Sequence, residues 1–267
     1  MKHCHYYIFL WAITFVAAAC ERDEKQEPYL PESLPSFQQV NFSGATDTSV
    51  VLFNGDMQLL HGRNTTTSFG QERFTMQYAG SDLTGMEYES KSKSGTHYNL
   101  LSVSFSCNKH NMMSSLKRED WNKTYTFTYD KQFRLIFFSI ELPQNGVNNY
   151  TIEYDDRSNV VAVERYSSIA GTEGTIRTEY SGYDSHPNPF RLLVNVFYAP
   201  VFASSYGALR WEAIPLGMLL SANNPGKTTE SRGTETSYQY EYGANDYPVS
   251  IKDNAGTGTF PLNIEYK

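Results

Sequence analysis

The chain has 267 residues and a formal net charge of −7, and its 15% aromatic content consists mainly of 20 Tyr and 16 Phe. The acidic balance argues against nonspecific binding to nucleic acid or to anionic membrane, both of which need a basic face. Of the three cysteines, Cys4 falls in the first ten residues and Cys20 closes the N-terminal segment, so Cys107 alone is left to the body and no intrachain disulfide framework is expected there.

Lys2 and His3 form a short basic region, and Ile8 to Ala19 is an apolar run of signal-peptide length, too short for a comfortable membrane span. Ala17, Ala18 and Ala19 lead directly into Cys20. This junction resembles the lipobox of bacterial lipoproteins, with Ala17 standing where a larger aliphatic is usual. The resemblance implies that Cys20 carries the lipid, palmitate among its acyl chains, and becomes the first mature residue. The alternative is an ordinary secretory signal cut near Ala19. Each buried methylene of a lipid contributes about 0.8 kcal/mol, so several chains would hold the protein firmly on a membrane.

Glu21 to Glu27 is charged and is followed by Pro28, Pro31 and Pro35, the composition of a solvated tether. An acid-rich stretch behind a lipidated Cys also resembles the export signal of surface lipoproteins in Bacteroidetes; a plain polar linker accounts for it equally. The expected organisation is a signal over 1–19, a tether over 20–37 and a single all-β domain over 38–267. The expected location is the outer membrane, on its periplasmic or cell-surface face.

From Gln38 onward the pattern is β. Thr48 to Phe53 and Met57 to Leu60 flank the turn Asn54-Gly55-Asp56. Phe74, Met76 and Tyr78 alternate with polar residues, Ala79 to Asp82 is a turn, and further strands are predicted around Met86 to Tyr88 and over Tyr98 to Cys107. Cys107 shares a strand face with Val103 and Phe105, which predicts a packed thiol rather than a nucleophile. Over Asn108 to Asn122 the rhythm breaks, and Met112, Met113, Leu116 and Trp121 would line one side of a short helix. Thr124 to Asp130 alternates again. Phe133 to Glu141 is apolar on both faces and predicts a strand covered twice. Asn149 to Tyr166 is a hairpin, with Tyr150, Ile152 and Tyr154 on one face and Asp155, Asp156, Ser158 and Asn159 in its turn. Thr175 to Tyr183 follows it.

Pro187 and Pro189 exclude a central strand. The apolar stretch Leu192 to Leu220 reads as irregular chain with short helical turns, over Ser204 to Ala213, plugging or capping an open end of the sheet. Glu235 to Tyr242, Tyr247 to Lys252 and Phe260 to Tyr266 complete the pattern. The fold class is therefore all-β: an antiparallel meander of about a dozen strands curled into a barrel-like or sandwich body, with a short irregular and helical insertion near 187–225.

Tyr183-Asp184-Ser185-His186-Pro187-Asn188-Pro189-Phe190, Asn223-Asn224-Pro225, Tyr240-Glu241-Tyr242 and Tyr247-Pro248 occur in this order. Together they resemble a Bacteroides lipoprotein family that carries a domain of unknown function with a porin-like fold. The resemblance covers residues 120 to 267 well and the first half only in pattern. It implies a curled antiparallel sheet and no known catalytic residues. The Asp, Asn and Pro residues also have a sufficient reading as turn and capping chemistry. A membrane-embedded barrel would need an apolar band facing lipid on every strand, whereas Glu153, Arg177, Glu179 and Glu241 fall in mid-strand. A water-facing domain on a lipid tether is expected instead.

His61, His97, His110 and His186 have no His or Cys partner at zinc spacing, and there is no nucleophile elbow or phosphate-binding glycine loop. Asp253 to Gly258 has a faint calcium-loop character but reads better as a hairpin turn. No catalytic residue, metal site or cofactor is assigned. The leading expectation is a non-catalytic binding module for a glycan, peptide or lipid, motivated by the Tyr and Phe excess and by Trp121 and Trp211 near the irregular segments. The alternative is a structural scaffold that binds a partner protein of the envelope. An enzyme with a carboxylate pair ranks third, because the distance that identifies such a pair is not visible in sequence.

Overall fold

The computed structural model describes residues 37–44, 47–53, 59–66, 70–80, 82–91, 97–101, 103–110, 112–118, 122–142, 146–169, 173–193, 214–255 and 260–267. The signal segment, Cys20, the tether, Trp121, Trp211 and the expected helix at Ser204 to Ala213 lie outside these residues.

The described chain forms a 17-stranded antiparallel sheet rather than one of about a dozen strands. Its first half contains β1 (Gln39–Ser43), β2 (Asp47–Phe53), β3 (Leu59–Thr66), β4 (Gly70–Ala79), β5 (Asp82–Lys91) and β6 (His97–Leu101). The middle contains β7 (Val103–Cys107), β8 (Met113–Arg118), β9 (Lys123–Tyr129), β10 (Leu135–Leu142), β11 (Gly146–Tyr154), β12 (Val160–Ser167) and β13 (Gly174–Ser181). After an excursion come β14 (Lys227–Glu230), β15 (Glu235–Tyr242), β16 (Pro248–Asp253) and β17 (Leu262–Tyr266). The extra strands are short ones: the predicted strand over 98–107 corresponds to two described strands, β6 and β7, and the four residues of β14 carry no apolar signal.

Apart from β6 and β7, strands adjacent in sequence pair with each other, and β1 pairs with β17 through Val40↔Tyr266 and Phe42↔Ile264, so the first and last strands meet. At the opposite point β6 pairs with β5 while β7 pairs with β8, and no ladder joins β6 to β7 among the described residues. Among the described residues the sheet is curled but not closed.

The inward faces share one core, which includes Val40, Phe42, Val51, Met86, Leu116, Phe127, Phe138, Ile152, Val163, Ile251, Leu262 and Ile264. Alternation sets most of this, as in β9, where Tyr125 and Phe127 are buried and Thr126 and Thr128 exposed. Two departures have a common cause. Met113 and Leu116 are spaced as on a helix, but they lie on β8; a bulge opposite Ser106 and Cys107 inserts Ser114 and turns both residues inward. A second bulge between Leu135 and Phe137 brings Leu135 and Phe138 to the same face of β10. Phe137 and Ser139, on the other face, are half-buried, so β10 is not the doubly covered strand that its apolar run predicts.

Among its described residues the excursion between β13 and β14 carries a 3-10 turn (Pro189–Leu193) and a short helix, α1 (Leu216–Leu220). Of the stretch expected to plug or cap the sheet, the described residues pack into its core. Phe190 is 1% exposed and stacks on Phe42 with centroids 5.8 Å apart, while Ile214, Met218, Leu219 and Leu220 are buried in the same core. The backbone of α1 lies so close to Tyr180 that a Cβ on Gly217 would stand 2.5 Å from its ring. Replacing Phe190 with Ala is expected to lower unfolding stability by about 3–5 kcal/mol, the usual cost of emptying a fully buried aromatic site, as measured by denaturant titration.

Candidate functional site

The turn-forming residues meet at one end of the sheet. In the β9–β10 turn Asp130 Oδ1 accepts the N–H groups of Gln132 and Arg134, both at 2.9 Å. In the β11–β12 turn Asp155 Oδ1 accepts those of Arg157 (2.9 Å) and Asn159 (2.7 Å). Asn108 does the same between β7 and β8 for His110 and Met112. These side-chain acceptors replace ladder bonds where the chain reverses, and they hold Phe133 and Ser158 at φ of 60° and 64°. Arg134 joins two of the turns, donating to Asp130 Oδ2 (2.7 Å) and to the Asp155 carbonyl (3.3 Å) while lying 4.7 Å over the Tyr154 ring.

The excursion leaves the sheet at Gly182 and returns at Gly226. Their backbones touch: the Gly226 N–H donates to the Ser181 and Gly182 carbonyls at 3.1 Å, and a Cβ on Gly226 would stand 2.8 Å from the Gly182 oxygen. Above this neck the motifs singled out in the sequence converge. Asp184 Oδ1 accepts the N–H groups of His186 (3.0 Å) and Asn224 (3.2 Å), and Oδ2 accepts Asn224 Nδ2 (3.1 Å) and the Tyr242 hydroxyl. With four donors on its lone pairs, Asp184 is a cross-link. Asn188, 2% exposed, donates to the Ser221 (2.8 Å) and Met218 carbonyls and accepts from Phe190 N–H at 3.0 Å. Ser221, fully buried, donates to the Gly217 carbonyl (2.6 Å) and accepts from Val160 N–H (2.9 Å). Asn159 Oδ1 accepts from Asn223 N–H at 2.8 Å, tying the hairpin turn to the excursion. His186 stacks on Tyr242 with centroids 3.8 Å apart and places Nδ1 2.8 Å from Asp246 Oδ1.

The tyrosines follow one rule. The rings of Tyr129, Tyr154, Tyr183, Tyr240 and Tyr266 pack against the core, and their hydroxyls donate to the carbonyls of Met113 (2.8 Å), Leu135 (2.9 Å), Val160 (2.6 Å), Pro225 (2.7 Å) and Pro248 (2.8 Å). Burial pushes the ionisation of all five hydroxyls above the ordinary tyrosine range and moves that of Tyr247 up to about 12. These described tyrosines therefore serve the core and its rim.

The other sequence candidates are scattered. His110 lies against Phe133 at 4.9 Å, and Cys107 is half-buried and in no disulfide. Asn254 Oδ1 accepts Ser237 N–H at 2.9 Å, a hairpin contact within the region that had a faint calcium-loop character. The side chains of His61 and His97 lie outside the described set. Among the described residues no group of three His, Cys, Asp or Glu is placed to hold a metal. Sequence reasoning gathered the rim motifs but missed Asn159 and Ser221 as its buried hubs; their polar character inside otherwise apolar surroundings was the available signal.

The mid-strand charges Glu153, Arg177, Glu179, Glu241 and Lys252 lie on the outer face and are paired. Arg177 makes a two-pronged contact with Glu153 (2.8 and 2.9 Å) and reaches Glu179 at 3.4 Å, and Lys252 contacts Glu241 at 2.7 Å. The hydrogen bonds from Arg177 lower the Glu153 carboxyl below its usual range. Among the described residues Tyr166, 45% exposed, is the one large hydrophobic side chain at the surface.

No protein-family profile matches the chain, and no curated protein matches it. Among solved structures, a porin-like protein from Bacteroides uniformis shares the architecture with a TM-score of 0.52 at 13% identity, over 88% of this chain and 99% of that one. A porin-like protein from Bacteroides vulgatus gives a TM-score of 0.39 at 10% identity, over 86% of this chain and 97% of that one. The first likeness assigns the fold: this is a curled antiparallel sheet of the porin-like kind. At such identity it assigns nothing more.

Two outcomes follow from the rim. Asp184→Ala strands the amide of Asn224 and the Tyr242 hydroxyl and is expected to cost about 2–3 kcal/mol by denaturant titration, with Tyr242→Phe costing less. The buried tyrosines keep their protons in the folded state above pH 10, the ordinary value at which the unfolded chain begins to lose them. The unfolded state then binds fewer protons, so stability is full below pH 10 and falls as pH rises. Thermal melts between neutral and strongly alkaline pH should show this decline, with tyrosinate absorbance appearing together with unfolding.

Proposed function

We propose that the chain is a lipid-anchored envelope protein, tethered to the outer membrane through Cys20, whose β body faces water and works as a non-catalytic binding module. The observation that carries the reading is the division between the two sides of the sheet. The inner side is filled by side chains and stopped by the excursion, which argues against an open pore. The outer side carries paired charges on β11, β13, β15 and β16, where a lipid-facing barrel needs an apolar band.

The anchor rests on the Ala17-Ala18-Ala19-Cys20 junction and the polar, proline-containing tether behind it. The structural likeness to Bacteroides porin-like proteins fits an envelope setting, and membership of the lipoprotein family suggested by the Tyr183 to Phe190 motif belongs to the same proposal. The partners are then the membrane, through the lipid, and a glycan, peptide or lipid ligand on the body. The rim carboxylates are engaged by donors, which favours recognition over catalysis.

The reading predicts that cells fed labelled palmitate yield labelled wild-type protein that partitions with detergent, while Cys20→Ala yields unlabelled protein in the aqueous phase. Unlabelled wild-type protein would overturn the anchor. A wild-type body that enters the detergent phase after proteolytic removal of the tether would overturn the water-facing assignment.

A further inference from the structure

On the outer face of β8 to β13 the ladders bring six residues into one cross-strand row: Ser115↔Thr126, Thr126↔Ser139, Ser139↔Asn149, Asn149↔Tyr166 and Tyr166↔Thr175. Each comes from a different strand. At about 4.8 Å between strands, the row is roughly 24 Å long. Thr126, Tyr166 and Thr175 are exposed and the other three are half-exposed. All six are uncharged, and the five beside Tyr166 are short hydroxyl or amide side chains. Among the described residues none of the six side chains makes a hydrogen bond or ion pair, in contrast to the spent polar groups of the rim.

We infer that this row is a binding platform for an extended neutral glycan, with Tyr166 as the stacking ring and Ser115, Thr126, Ser139, Asn149 and Thr175 as the hydrogen-bonding floor. The inference rests on the binding-module reading above and specifies its site and ligand class. Chemistry selects the class. The main chains of β8 to β13 are consumed by ladders on both sides, which removes the edge that an added peptide strand would need. On one flank Glu164 stands opposite Arg177, which is committed to Glu153 and Glu179, and on the other Lys117 shares a row with Glu141, so neither flank carries a surplus of positive charge for an anion. Tyr166 is the one exposed large hydrophobic among the described residues and Phe137 in the adjoining row is half-buried, which leaves too little apolar area for a lipid. Alternating hydroxyl donors and acceptors beside an aromatic face match a polyol that has both hydroxyls and C–H faces.

The test is titration of the full chain with cellohexaose, xylohexaose, mannohexaose and laminarihexaose, followed by calorimetry and by amide chemical shifts, with a sulfated hexasaccharide, a random peptide pool and phosphatidylcholine vesicles as comparison probes. The expected result is saturable binding of at least one neutral hexasaccharide, with shifts along the row. Tyr166→Ala should weaken that binding by about tenfold or more at an unchanged melting temperature, and Tyr166→Trp should retain it. Absence of binding to all four neutral probes, or binding that survives both Tyr166→Ala and Asn149→Ala, overturns the platform. If the peptide pool or the vesicles bind while the neutral probes do not, the platform falls and the binding-module reading stands. If nothing binds, both fall.

Discussion

A sheet that curls around its own apolar face has to stop the end of its interior without abandoning backbone groups there. In this chain the stop is the excursion between β13 and β14, and it is held by buried amides and hydroxyls. Phe190 and the α1 residues supply apolar surface, but they bring helix ends and irregular backbone into dry surroundings, where unpaired N–H and C=O groups are costly. Asn188 and Ser221 answer that cost by taking up the carbonyls of Met218, Ser221 and Gly217 and the N–H groups of Phe190 and Val160. Without these pairings the plug would be apolar enough to enter but too polar to stay.

The same constraint explains why the interior uses so much tyrosine. A phenylalanine would fill the space equally well. Where strands bulge or end, however, a carbonyl is left without a ladder partner, and a tyrosine lying along the inside of the sheet carries an aromatic ring and a donor to that point at once. The Tyr129, Tyr154, Tyr240 and Tyr266 hydroxyls all end on main-chain carbonyls. These four tyrosines fill the core and satisfy a carbonyl at once.

The outside of the sheet separates fold from setting. Porin-like architecture is compatible with lipid or with water, and the choice is made by the residues that alternate with the core. The paired charges Glu153, Arg177, Glu179, Glu241 and Lys252 suit water in the proposed reading, and the uncharged row from Ser115 to Thr175 is the part of this surface which that reading offers to a ligand.

By itself the sequence determined the alternation of β9, β11 and β15, the Asp155 turn, the break at Pro187 and Pro189 and the outward charges, because each is written in residues a few positions apart. The helix expected around Met113 and Leu116 failed because a bulge shifts strand parity and imitates helical spacing, and a bulge is defined by the partner strand. Tertiary structure alone decided that Asp184 meets Asn224 and Tyr242, that Asn159 and Ser221 are the buried hubs, and that six separate strands align Ser115 with Thr175. Those are matters of register and closure, set by contacts between residues tens of positions apart, and a linear pattern carries no information about which strands will lie side by side.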